Sequence, residues 1–121
     1  MVKALFDTNI LIDFLNGIPQ ARDEIARYEG KSISIITWME VLVGASKNVE
    51  AKTRDYLNTF DIIPLDDKIA DRAVSLRRQH GVRLPDAIVW ASAEEHGRLL
   101  VTRNTKDFGR DVPGIRVPYA P

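Results

Sequence analysis

The sequence predicts an α/β fold, a three-layer α/β/α sandwich around a mostly parallel five-stranded sheet. Short apolar runs rich in β-branched residues alternate with segments of helical periodicity. This alternation supplies the crossover helices that parallel strands need. Because such crossovers are right-handed, few topologies remain. We expect the strand order 3-2-1-4-5, which places strand 1 at the switch between the two halves of the sheet.

Strands are expected over residues 2–6, 32–36, 61–65, 99–102 and 115–117. Pro19 is suited to open the second helix, and Thr37 is expected to cap the third. Asp66 is expected to cap a long helix that ends at Gly81. The helix after strand 2 is apolar nearly all round, so it is expected to be largely buried.

Length and composition narrow the class of protein. The chain has 121 residues, which suits one domain spanning 1–121. Its formal net charge is 0, so any nucleic-acid binding must come from local patches and bound cations. The absence of cysteine excludes disulfides and thiolate metal sites and fits a cytoplasmic protein. No apolar stretch approaches the ~18 residues of a membrane span, so no membrane is expected as a partner.

Four acidic residues follow apolar strands or interrupt apolar helices: Asp7, Glu40, Asp86 and Asp107. Each also has a purely structural interpretation. Asp7 suits a helix cap, Asp86 the positive end of a helix dipole, and Asp107 an Asx turn. Glu40 is costly to bury unpaired, so either one side of its helix reaches solvent or the carboxylate meets a cation.

Taken together, these acids indicate a site. Asp7 and Asp107 follow strands 1 and 4, and Glu40 lies one turn into the helix after strand 2. These three gather at one edge of the predicted sheet, and Asp86 joins them if its helix starts there. Such a cluster needs protons or a metal to neutralise it. Oxygen ligands favour Mg²⁺ or Mn²⁺, and an acid-bound divalent ion suits phosphodiester hydrolysis.

Four segments of the chain resemble the PIN-domain nucleases, and among these the VapC-type toxins of bacterial toxin–antitoxin pairs. They are Asp7-Thr8-Asn9-Ile10-Leu11-Ile12-Asp13, Ile36-Thr37-Trp38-Met39-Glu40-Val41, Leu84-Pro85-Asp86-Ala87-Ile88 and Val101-Thr102-Arg103-Asn104-Thr105-Lys106-Asp107-Phe108. The resemblance covers the whole chain, with the segments in family order. It implies a PIN-like fold and a Mg²⁺- or Mn²⁺-dependent endoribonuclease.

The resemblance also implies roles for particular residues. Its acidic quartet maps onto Asp7, Glu40, Asp86 and Asp107, as metal ligands and catalytic groups. Thr8 and Asn104 map onto supporting polar positions. It further implies an RNA substrate, a cognate antitoxin that blocks the site, and a homodimer. Separately, three basic residues follow strand 4 and are expected to contact phosphates: Arg103, Lys106 and Arg110.

Other functions stay open at this point. A phosphoacceptor receiver domain has a similar length and an acidic Mg²⁺ pocket. It should carry adjacent acids after strand 1 and a lysine after the last strand, whereas here strand 1 ends in Asp7 alone and the last strand at Pro118-Tyr119. A non-catalytic module with the same fold would not need the intact set of acids. A metal-dependent DNA nuclease fits the same residues as a ribonuclease.

Overall fold

The sheet has the strand order β3-β2-β1-β4-β5, and every neighbouring pair is parallel. The computed structural model describes residues 2–106, 108 and 112–120. Within them the strands are β1 (Ala4–Phe6), β2 (Lys31–Ser34), β3 (Asp61–Ile63), β4 (Leu99–Val101) and β5 (Ile115–Arg116). The predicted order is confirmed, and β1 lies at the switch, paired with β2 on one side and β4 on the other.

Helices cover both faces of this sheet. They are α1 (Thr8–Leu15), α2 (Pro19–Ala26), α3 (Ile35–Gly44), α4 (Glu50–Leu57), α5 (Asp67–His80) and α6 (Leu84–Glu95). In the described part of the chain, no helix has the length and apolar character that a bilayer crossing requires. Asp66 caps α5 through Ile69 N at 2.9 Å, and Gly81 ends it with φ +70°, as predicted.

The period-2 alternation of the strands sends their side chains into two separate cores. Leu5 and Leu100 lie in the core that α5 and α6 cover, together with Phe108 and Trp90. Ala4, Phe6 and Val101 face the opposite core, which includes residues of α1 to α4. Burial on both faces explains why β1 and β4 are continuously apolar.

The start of α3 corrects the sequence prediction. Strand 2 was expected over residues 32–36 with Thr37 as the cap, but β2 ends at Ser34 and α3 begins at Ile35. The Ser34 hydroxyl accepts from Ile36 N at 3.1 Å and caps the helix three residues earlier. The β-branched pair Ile35-Ile36 favours a strand locally, and this cap overrides that preference.

The expected burial of α3 is also wrong. In this helix only Thr37 and Val41 are buried, while Val43 is 88% exposed and Met39 44% exposed. Glu40 lies on the exposed side. Of the two alternatives for this carboxylate, one side of the helix does reach solvent, so Glu40 is available to whatever binds there.

An ion pair anchors the short edge strand β5 to α2. Arg116 donates to Glu24 through Nε at 2.6 Å and Nη2 at 3.0 Å, and Tyr28 Oη donates to Glu24 at 2.9 Å. Glu24 is only 4% exposed. Burial alone would raise the pKa of its carboxyl, but the bonds from Arg116 and Tyr28 outweigh burial and lower this pKa. β5 is two residues long, so this pair is a principal tether for it.

We therefore expect Glu24→Gln to destabilise the fold by roughly 1.5–3 kcal/mol at pH 7, since it removes charge-assisted hydrogen bonds. A carboxyl with a lowered pKa stabilises the fold above its unfolded-state pKa of about 4.3 and loses this effect as pH falls through the folded value. The difference from the parent, measured by urea unfolding, should shrink below about pH 4.3. The exposed Glu29→Gln is the control. Equal stability of Glu24→Gln and parent at pH 7 would contradict the tether.

Candidate functional site

Asp7 lies directly after β1, at the carboxyl edge of the central strand, and is 4% exposed. Its Oδ1 accepts from Thr8 N at 2.8 Å, which caps α1. Its Oδ2 accepts from the Thr102 hydroxyl at 2.8 Å and from Asn9 Nδ2 at 3.2 Å. The carboxylate is therefore held in a fixed orientation by the neighbouring strand and by its own helix.

Burial raises the pKa of the Asp7 carboxyl above its usual range. Hydrogen bonds from Thr102 and from the Thr8 backbone lower it in part, and the negative charge of Glu40 raises it further. The charged form of Asp7 is thus unfavourable in the isolated chain. A cation at this edge would reverse that preference.

Thr8 links the first site segment to the second. Its hydroxyl donates to Glu40 Oε1 at 2.7 Å and lies 3.0 Å from Thr37 Oγ1. These contacts join α1 to α3 across 29 and 32 residues of sequence. Glu40 is thereby held near Asp7, close enough for the two charges to interact.

Asp86 lies in the first turn of α6. A short connection joins the C-terminus of α6 to β4, so the helix runs antiparallel to the strand and begins where β4 ends. α6 also packs against α3, the helix that carries Glu40. Asp86 Oδ2 accepts from Arg83 at 3.1 Å, and its side chain is 14% exposed.

The loop after β4 is attached to α1 by a charged network. Arg103 donates to Asp13 through Nε at 2.6 Å and Nη2 at 3.2 Å, and Tyr119 Oη donates to the same carboxylate at 2.8 Å. Arg103 N donates to Asn9 Oδ1 at 3.3 Å. The Arg103 guanidinium is engaged by Asp13 and links the loop to α1, and its contact with phosphate stays a prediction.

The other predicted residues of this loop are placed as follows. Asn104 N donates to Thr102 Oγ1 at 3.0 Å, and Asn104 Oδ1 accepts from Lys106 N at 3.2 Å. Lys106 is exposed. Asp107 and Arg110 lie outside the described residues. Among the residues that are described, no three or more His, Asp or Glu side chains form a group that could hold a metal ion.

Sequence reasoning missed several residues of this network. Asp13 interrupts an apolar helix in the way that singled out Glu40, so the same test applied to α1 would have found it. Thr102 follows β4 as Asp7 follows β1, and its position alone was a usable signal. Asn9 stands in the first family-like segment but was given no role, and its carboxamide contacts both Asp7 and the β4 loop.

The candidate acids Asp7, Glu40 and Asp86 thus lie at the start of α1, on α3 and on α6, and α3 contacts both of the other helices. A family model described as the PIN domain matches residues 4–110. The chain belongs to the PIN-domain family. PIN-domain nucleases generally use divalent metal ions, and the donor chemistry of Asp7, Glu40 and Asp86 suits such ions.

Several relatives of this PIN domain match over nearly the whole chain. The tRNA(fMet)-specific endonuclease VapC of Shigella flexneri is 30% identical over 128 residues, covering 96% of each protein. A toxin–antitoxin complex from Klebsiella pneumoniae is similar with a TM-score of 0.94 and 48% identity, covering 98% of this chain and 100% of that one. DNA-bound VapBC from Salmonella typhimurium gives a TM-score of 0.74 and 25% identity, covering 96% of each.

The burial of Asp7 generates a stability prediction. In EDTA at pH 7, Asp7→Asn should unfold at a higher temperature than the parent, since asparagine keeps the cap without a buried charge. Below the unfolded-state pKa of about 3.9, the Asp7 carboxyl is neutral in the folded and unfolded states, so its burial does not destabilise the fold. The destabilisation grows as the pH rises toward the higher folded-state pKa. The advantage of the variant should therefore vanish near pH 3.9.

Thermal unfolding at several pH values measures this difference. The control is Asp23→Asn, a change at a 73% exposed side chain, for which we expect no such trend. An Asp7→Asn variant less stable than the parent at neutral pH would mean that its hydrogen bonds outweigh the cost of burying the charge.

Proposed function

We propose that this PIN domain is a metal-dependent endoribonuclease and the toxin of a toxin–antitoxin pair. One observation carries the proposal: the match to a tRNA-specific endonuclease extends over 96% of both proteins. The geometry around Asp7 supports it, because Thr8, the neighbour of this buried carboxylate, holds Glu40 close enough for the two acids to interact. Such a toxin would act in the cytoplasm, and we expect RNA to be its substrate there.

The residues fit a divalent cation by their donor chemistry. Asp7, Glu40 and Asp86, with Asp107, would hold Mg²⁺ or Mn²⁺, since carboxylate oxygens are the ligands these ions prefer. The raised pKa of Asp7 supports this, because a nearby cation would favour the charged carboxylate. When bound, the ion would supply charge stabilisation at the phosphate and a more acidic water.

The chain's own residues would orient these ligands. Asn9 and Thr102 hold Asp7 by hydrogen bonds to Oδ2, and Thr8 holds Glu40. Such contacts fix carboxylate orientation and so support affinity for the ion. Asn104, in the loop after β4, would be a supporting polar residue of the site. Lys106 and Arg110 would contact phosphates of the RNA backbone.

A groove next to Glu40 supports the antitoxin as partner. A cavity of about 530 Å³ lies between α1, α3 and α4, and Ile12, Leu15, Val41 and Val49 line it together with Glu40. Ile12, Leu15 and Val49 are each more than 40% exposed. An antitoxin segment with apolar side chains would fill this groove and cover Glu40. A homodimer, as expected for this family, would cover other apolar surface such as Val43.

The decisive experiment is cleavage of a total-RNA pool by the purified protein with and without Mn²⁺. We expect cleavage that stops in excess EDTA. Asp7→Asn should reduce the rate by roughly 10²–10³-fold, the range typical for removal of a group that stabilises developing charge. Asp23→Asn should keep the parent rate, since its side chain is 73% exposed and pairs with the adjacent, exposed Arg22.

Full activity of Asp7→Asn, or of the parent in EDTA, would contradict the proposal. Single-stranded DNA of matched sequence, tested in parallel, separates a ribonuclease from a DNA nuclease. Acetyl phosphate labelling tests the phosphoacceptor alternative, in which an aspartate after strand 3 would accept the phosphoryl group, and we expect no label on the protein.

A further inference from the structure

Arg83 carries an exposed positive charge beside one of the site carboxylates. Its side chain is 73% exposed, and its guanidinium donates to Asp86 Oδ2 at 3.1 Å from Nη2 and 3.2 Å from Nε. In the described part of the chain, the Arg83–Asp86 pair is a salt bridge to one of the three candidate acids, Asp7, Glu40 and Asp86. Arg83 therefore lies beside the candidate site residue Asp86, at the start of α6.

The position of Arg83 is unfavourable for the helix that it begins. Arg83 is the N-cap of α6 and makes no capping hydrogen bond with its side chain. Ser, Thr, Asp and Asn are preferred at this position, and a positive charge is disfavoured at the positive end of the helix dipole. Helix stability alone therefore gives no reason for an arginine here.

The other arginines near this edge are already engaged in buried or partly buried networks. Arg103 pairs with Asp13, which is 9% exposed, and Arg116 pairs with Glu24. Each would break a two-bond ion pair with a buried carboxylate if it turned toward a substrate. The Arg83 side chain is 73% exposed, against 30% for Arg103 and 35% for Arg116, so it can turn toward a substrate with less change in packing.

We propose that Arg83 is a substrate-binding residue that contacts an RNA phosphate beside the acidic site. In the chain without substrate it pairs with Asp86; with RNA bound it turns to the phosphate and leaves Asp86 to the cation. The guanidinium is suited to this exchange, because it donates to carboxylate and phosphate through the same planar fork. This inference rests on the proposed ribonuclease function.

The test compares Arg83→Gln with Arg72→Gln. Arg72 is a matched control, since it is an exposed arginine that pairs with Glu94 and Glu95 at the opposite end of α6. With a single-stranded RNA oligonucleotide that the parent cleaves, Arg83→Gln should raise KM about tenfold, the effect of losing one charge-assisted hydrogen bond. The Mn²⁺ concentration for half-maximal rate should stay the same or fall, because a competitor for Asp86 is removed.

Binding of the same oligonucleotide without cleavage gives an independent measurement. In an Asp7→Asn background, the slope of log Kd against log salt should decrease by about 0.7 when Arg83 is replaced, as expected for one phosphate contact on a single strand. Arg83→Lys should keep most of that slope. Arg72→Gln should leave it unchanged.

Stability separates a binding role from a structural one. Arg83→Ser introduces a preferred cap, so it should melt at or above the temperature of the parent while losing RNA affinity. Unchanged KM and salt slope in Arg83→Gln, with the parent active, would overturn the inference and leave the ribonuclease function intact. A parent that neither binds nor cleaves RNA would overturn both.

Discussion

The structure depends on one buried carboxylate, which lies where the order of the parallel strands reverses. Asp7 follows β1, the strand from which the chain first builds toward β3 and later returns toward β5. At this switch point the loops of the two halves diverge and leave a crevice. Asp7 lies at this point of the sheet, and its two oxygens accept from the α1 backbone and from Thr102 beyond β4. The same side chain therefore joins α1 to the segment after β4 and is also the first candidate residue of the site.

The structural and functional interpretations of Asp7 are consequently not alternatives. As a cap it begins α1, and as a ligand candidate it is held in one orientation before anything binds. Burial makes its charge unfavourable, and hydrogen bonds recover only part of this. A cation that binds the folded state at this position, as we propose, would offset that cost through mass action.

The order of the sheet could be predicted because it follows from the alternation of strands and helices with right-handed crossovers. Helix ends with strong local chemistry, such as Asp66 and Gly81, were predictable for the same kind of reason. The start of α3 was not, because Ile35 and Ile36 favour a strand locally and only the Ser34 cap decides otherwise. Local propensity does not indicate which of two nearby residues, Ser34 or Thr37, caps the helix in the folded protein.

In the site, the acids could be singled out from sequence but their surroundings could not. The bond from Arg103 to Asp13 joins residues 90 apart, and no local pattern indicates such a partner. Arg103 therefore looked like a free phosphate contact in the sequence. Arg83 was overlooked because it precedes a helix instead of following a strand, and only the antiparallel path of α6 brings it to the carboxyl edge.

The tripeptide Asp7-Thr8-Asn9 shows why the site segment is so compact. Successive residues at the start of a helix point about 100° apart, so three neighbours reach three different parts of the fold. Asp7 accepts from Thr102, Thr8 reaches Glu40 on α3, and Asn9 reaches the backbone after β4. The first turn of α1 thus fixes Asp7, Glu40 and the loop after β4 relative to one another. Any shift of α1 along its axis would displace all three contacts at once, which makes the geometry of this edge a property of the fold as a whole.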